Sequence, residues 1–285
     1  FTKLIIMKKL SLAFLLSVFL TISAFSQVRM PAPSPTEFIR QDFGLSSIEL
    51  TYSRPSLKGR NVFGTVVLYD SLWRTGANGA TKIKFNDPVE IFGHKVDTGS
   101  YAIYTIPHKN GEWTIVLNKG FNNSGVSGYQ QGDDVFRENV KSTKTSNKIE
   151  TFTMQFTNIK PESCDLSLMW DNLVVNVPVK VNIKDKIRAQ IESALSSDKK
   201  PYWQAAQFYN EYDNNKAKAL EMVNEAIQQS GKPPFFMVYY KAKIQKDMGD
   251  KKGALASAKQ SMELAKEAGN SDYVLLNEKL MKELK

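Results

Sequence analysis

The sequence is poor in cysteine and histidine. Its 285 residues include one cysteine, Cys164, which excludes a disulfide within the chain. The two histidines, His94 and His108, form no His-x-x-x-His motif, and no Cys-x-x-Cys or Asp-x-Asp-x-Asp-Gly pattern occurs. The sequence therefore predicts no metal centre and no cofactor.

Signatures of common catalytic sites are also missing. No Gly-x-Ser-x-Gly elbow occurs, and the glycine-containing loop at residues 120–125 lacks the lysine of a phosphate-binding P-loop. These absences favour a non-enzymatic binding or protein-interaction module. Two alternatives stay open: an envelope hydrolase acting on glycan or ester substrates, and a purely structural envelope protein.

Long apolar runs are absent except near the N-terminus. Lys8 and Lys9 precede an apolar stretch at residues 10–25, and small residues follow up to Ser26. This order is typical of a secretory signal peptide, so we expect cleavage between Ser26 and Gln27. We expect the natural chain to start at Met7. The sequence predicts a periplasmic or secreted protein without a permanent membrane anchor.

The charge is moderately positive, with a formal net value of +9. Residues 180–285 hold 19 basic and 14 acidic residues, whereas residues 27–179 hold 16 and 15. The excess of lysine in the C-terminal half is dispersed among acids, unlike the basic clusters that bind nucleic acid. We expect no nucleic-acid partner and a surface that favours acidic proteins.

Residues 46–180 alternate between apolar and polar side chains with a period of two. This alternation predicts β-strands, as in Ile48, Leu50 and Tyr52. Hairpin turns are expected at 110–111, 93–94 and 171–172. Many short strands without an intervening long helix predict an antiparallel β-sandwich-like domain over residues 27–180.

The period changes to that of a helix near residue 182. We predict helices from residue 184 onward and over 203–212, 216–229, 236–248, 252–268 and 271–284. Similar segments begin at Ala219 and Ala254, 35 residues apart, close to the tetratricopeptide period. The fold class is therefore α+β multidomain, with a tetratricopeptide-like hairpin tail at 181–285. We expect so short a tail to pack on the β half.

Three segments carry a resemblance to a known family. They are Tyr-Ser-Arg-Pro-Ser-Leu-Lys-Gly-Arg at 52–60, Trp-Arg-Thr-Gly-Ala-Asn at 73–78 and Gly-Ser-Tyr-Ala-Ile-Tyr-Thr-Ile-Pro at 99–107. Over residues 31–178 the chain resembles a bacterial family known as domain of unknown function 2911. One difference is Gly79, which stands at a position where members of this family commonly have an acidic residue. The resemblance implies export and sometimes a repeat-bearing tail, but no activity, substrate or cofactor.

The first two segments also form the candidate ligand site. They contain Arg54, Lys58, Arg60 and Arg74, whose charged groups could bind carboxylate or phosphate. Trp73 could add a stacking surface and Asn78 an amide, which together suggest an anionic or sugar-like ligand. In the alternative interpretation the arginines brace long loops and Asn78 caps a turn. A protein partner is expected to bind the helical tail.

Overall fold

The computed structural model describes residues 30–285. The predicted signal peptide, its cleavage site and the predicted start at Met7 lie outside this range. Within it, an antiparallel β domain is followed by six helices, so the predicted fold class is confirmed.

Ten strands form two antiparallel sheets. The first sheet has the order β1-β2-β3-β6-β7-β8, and the second has the order β5-β4-β10-β9. The strands are β1 (Thr36–Phe43), β2 (Ser46–Ser53), β3 (Thr81–Phe85), β4 (Val89–Ile91), β5 (His94–Val96), β6 (Gly99–Pro107), β7 (Glu112–Asn118), β8 (Asp134–Lys141), β9 (Thr143–Thr157) and β10 (Ser163–Lys180).

The core lies between the sheets. Alternation places one set of side chains of each strand inside, as in β3, where Ile83 and Phe85 are buried and the intervening lysines are exposed. One end of this core is aromatic: the rings of Trp73 and Trp170 stack at 5.7 Å between centroids, with Phe152 against both. The predicted alternation therefore results from burial on one side of each sheet.

Two of the three predicted hairpins are confirmed. Asn110 and Gly111 lie in the turn between β6 and β7, and Gly93 lies in the turn between β4 and β5. The third prediction, a turn at residues 171–172, is wrong. β10 continues through both residues, and Asp171 takes a positive φ of 54° where the register with β9 shifts. The turn-like residues lie opposite a β-bulge, because residues 145–148 of β9 stand against Asn172 alone.

The six helices follow the predicted segments within one or two residues. They are α1 (Lys184–Leu195), α2 (Tyr202–Glu211), α3 (Lys216–Gln229), α4 (Phe235–Asp247), α5 (Lys251–Glu267) and α6 (Ser271–Glu283). Side-chain oxygens of Asn215, Asp250 and Asn270 accept hydrogen bonds from the first turns of α3, α5 and α6. These caps satisfy backbone N–H groups that a helix start leaves without partners.

The helices pack mainly on one another, so the expectation that the tail packs on the β half is wrong for most of its helices. α2 pairs with α3 and α4 with α5, and α6 packs on α5. The tail has its own buried clusters, and it touches the β domain mainly through α1, where Ile187 packs on the sandwich core and Lys186 contacts Asp87 at 2.7 Å. None of the helices in residues 30–285 is both long and apolar enough to cross a membrane.

Candidate functional site

The first family segment fastens the two sheets together. The hydroxyl of Tyr52, at the end of β2, accepts a hydrogen bond from the backbone N–H of Met154 in β9 at 2.8 Å. It also donates to the carboxylate of Glu37. The hydroxyl is enclosed, so burial raises the pKa of Tyr52, and the bond to Glu37 raises it further. Tyr52 is therefore a neutral group that joins the sheets.

Arg54 continues the same fastening. Its guanidinium donates to the carbonyl of Phe152 at 3.1 Å, to the hydroxyl of Thr153 at 2.8 Å and to Glu37 at 3.2 Å. The side chain is 28% exposed. The geometry matches the bracing interpretation, because each of these bonds goes to a protein group on β1 or β9.

Lys58 and Arg60 lie further along the same loop. Arg60 donates to the carbonyls of Leu57 and Ser56 at 2.9 and 2.8 Å, which holds the loop in shape. Lys58 has a positive φ of 49° and an exposed side chain, and its backbone N–H donates to Glu150. Both residues are exposed, but of the two only Arg60 uses its charged group in hydrogen bonds within the described chain.

Trp73 lies inside the sandwich. It is 9% exposed, stacks on Trp170, and donates from Nε1 to the carbonyl of Gly76 at 3.0 Å. The surface that was expected to stack on a ligand is therefore covered by core residues. Gly76 is required here, because it has a φ of 148° and a Cβ atom would lie 2.8 Å from the carbonyl of Ser53.

Arg74 and Asn78 meet in one turn. Arg74 Nη1 donates to the carbonyl of Asn78 at 2.6 Å, and its guanidinium lies against Gly125, where a Cβ atom would come within 2.5 Å. The Asn78 amide donates to Ser53 Oγ at 3.1 Å, and its φ is 61°. Asn78 thus ties this turn to β2, beside Arg54. The first and second family segments therefore meet at the bond between Asn78 and Ser53, and their polar side chains bond mainly to other groups of the protein.

One end of the sandwich contains a cavity that none of the candidate ligand residues lines. We call it the end cleft. It has a volume of about 680 Å³, within the usual range for small-ligand sites. The sequence analysis missed it because its walls come from four separated segments. They are residues 61–69, 107–113, 142–144 and 171–173, the last opposite a bulge in β9.

His108 in the end cleft has the neighbours of a catalytic histidine. Its Nδ1 lies 2.6 Å from Asp70 Oδ1, and its Nε2 lies 2.8 Å from Thr114 Oγ1. Thr114, however, donates to Asn139 at 2.7 Å and does not line the cleft. A nucleophile must reach the substrate, so this arrangement favours a structural role for His108.

The tail has a small groove of its own between α4 and α6, which we call the tail groove. Its volume is about 160 Å³. Tyr239, Leu276 and Leu280 give it an apolar lining, and Lys243 and Lys279 stand at its sides. Leu276 is 40% exposed although it is apolar.

Comparison with family models identifies the β domain. Residues 34–179, half of the chain, match the model described as Protein of unknown function (DUF2911). The chain belongs to this family. The expected resemblance is thereby confirmed, and the first family segment is the one that fastens the sheets. Searches of curated proteins and of solved structures gave no match.

Proposed function

We propose that the chain is an exported, non-enzymatic binding protein whose helical tail docks a protein partner. The observation that carries this proposal is the tail groove, where three apolar side chains lie among three lysines and two acidic residues on helices that pack mainly on one another. Exposed apolar side chains on a helical repeat surface are typical of interaction sites.

The charges around the tail groove indicate the kind of partner. Lys246 is paired with Glu283, and Lys216 with Asp247 at 3.7 Å. Lys243 lies over the ring of Tyr240 at 6.0 Å and has no acidic partner within the described chain. Lys279 likewise has no ion pair among residues 30–285, so a segment that combines an apolar side chain with carboxylates would complement the groove.

Two further features support the proposal. The paired helices α2/α3 and α4/α5 repeat at the 35-residue spacing of Ala219 and Ala254, which are both fully buried between helices. We interpret them as two tetratricopeptide-like repeats followed by α6 as a cap. The apolar stretch at residues 10–25 supports export to the periplasm or beyond. N-terminal sequencing of the protein expressed in a bacterium would test this, and we expect the mature chain to start at Gln27.

The docking experiment uses residues 27–285 and an array of fluorescent ten-residue peptides, each with one leucine or phenylalanine among aspartates and glutamates. We expect saturable binding in fluorescence anisotropy, weakened at least tenfold by Lys243→Glu with Lys279→Glu. Lys259→Glu, an exposed lysine on α5, serves as the matched control and should bind like wild type. Equal binding by the double variant, or binding to no peptide in the array, would contradict the proposal.

A further inference from the structure

The polar groups that line the end cleft fall into two classes. Members of the first class are already bonded to other groups of the protein. Asn110 bonds with Glu112 inside its turn, Ser142 donates to the carbonyl of Gly111 at 2.7 Å, and Asp171 pairs with Lys148 at 3.3 Å. These groups hold the walls in place.

The second class has no partner within the described chain. It consists of the amides of Asn61 and Asn172 and the ammonium groups of Lys109 and Lys144, all exposed in the same cleft. The two lysines face no unpaired carboxylate there, since Asp171 is held by Lys148 and Asp70 by His108. The unused part of the cleft therefore carries positive charge and hydrogen-bonding amides.

A bulge in β9 lies opposite one of these amides. Asp171 pairs with Ile149 and Leu173 with Lys144, so Asn172 and residues 145–148 of β9 have no register partner. A bulge redirects side chains and is common beside binding sites. Asn172 and Lys144 both line the cleft, and Lys144 pairs with Leu173, the residue next to Asn172.

Two aromatic side chains also line the cleft. Tyr69 is half-buried and packs on Gly64, where a Cβ atom would lie 2.8 Å from the ring. Phe63 is held edge-on between Trp113 and Trp170, with centroids 5.3 and 6.1 Å away. These rings add packed apolar surface to the otherwise polar lining.

We propose that the end cleft binds an acidic saccharide, meaning a sugar ring that carries a carboxylate. Asn61 and Asn172 would bond its hydroxyl groups, Lys109 and Lys144 its carboxylate, and Tyr69 the apolar side of the ring. An acidic saccharide would complement these groups better than a neutral sugar or a simple anion. A neutral sugar would leave the lysines unpaired, and a simple anion would leave the aromatic side chains uncovered.

The test is calorimetric titration of residues 27–285 with digalacturonate, cellobiose and inorganic phosphate. We expect digalacturonate to bind at least tenfold more tightly than either of the others. We expect Lys109→Ala with Lys144→Ala to lose at least tenfold in affinity, with an unchanged melting temperature because neither lysine holds a protein group. Lys119→Ala, an exposed lysine outside the cleft, is the control and should bind like wild type.

Three results would overturn the inference. They are the absence of heat with digalacturonate at millimolar concentration, equal affinity for phosphate, and equal affinity of the double variant. The tail variants Lys243→Glu and Lys279→Glu should leave this titration unchanged, so failure here and failure of the docking proposal are separate outcomes.

Discussion

Tyr52 offers a sharp test of how the family segments work. Replacing Tyr52 by phenylalanine removes the hydroxyl that accepts from the Met154 N–H, and leaves that buried donor without a partner. An unsatisfied buried donor costs about 1–3 kcal/mol. Glu37 adds little, because its side chain is 34% exposed and water can replace the lost bond. A loss of about 2 kcal/mol in the free energy of unfolding lowers the melting temperature of a domain of this size by about 4–8 °C.

The assay is urea unfolding of residues 27–285 followed by tryptophan fluorescence. Trp73, Trp113 and Trp170 are buried in the β domain, so the signal reports mainly on that domain. Tyr69→Phe is the matched control, because its hydroxyl has no hydrogen-bond partner within residues 30–285, and we expect it to lie within about 0.5 kcal/mol of wild type. A Tyr52→Phe variant as stable as this control would refute the fastening role.

Three further predictions concern single positions. Gly76→Ala should unfold at markedly lower urea concentration, because its Cβ atom would press on the Ser53 carbonyl in a backbone region that disfavours side chains. Burial raises the pKa of Cys164 to about 12, so native protein should react with a thiol reagent at pH 8 only as fast as it unfolds, and prompt labelling would contradict this. Hydrogen bonding to Arg188 lowers the pKa of Asp213 in the folded protein. The contribution of this carboxylate to tail stability is therefore complete above the ordinary aspartate pKa of about 3.9. It is lost as the pH falls through the lower pKa of the folded state. Helix melting followed by circular dichroism should thus show wild type losing its advantage over Asp213→Asn between pH 7 and pH 2, and a constant difference would be the contrary result.

The helical tail was largely predictable because its signals are local. A cap such as Asn215 or Asp250 and the spacing of alanines lie within one helix or its neighbour. Its packing was not predictable from the same signals. Periodicity shows that a helix has a buried side, but not whether another helix or a sheet covers it, and here the neighbouring helices do.

The β domain was predictable as a class but not in its details. Asp171 and Asn172 read as a turn because both residue types tolerate positive φ, yet pairing with β9 carries the strand through them. Pairing across the sheet depends on residues distant in sequence, so no local pattern distinguishes a bulge from a hairpin here.

The surroundings of the candidate ligand residues were not predictable for a similar reason. Arg54 bonds to groups about a hundred residues away, and Trp73 stacks on Trp170, so the local sequence could not reveal these contacts. The end cleft is assembled from equally distant segments and contains no continuous motif.

The most direct test compares Arg54→Ala with the Lys109→Ala, Lys144→Ala double variant in one thermal-shift experiment, each with and without digalacturonate. The account predicts that Arg54→Ala lowers the melting temperature but keeps the upward shift caused by the ligand. It predicts that the double variant melts like wild type and loses that shift. The opposite pattern, with ligand response lost in Arg54→Ala and kept in the double variant, would return the binding site to the family segments and contradict the account.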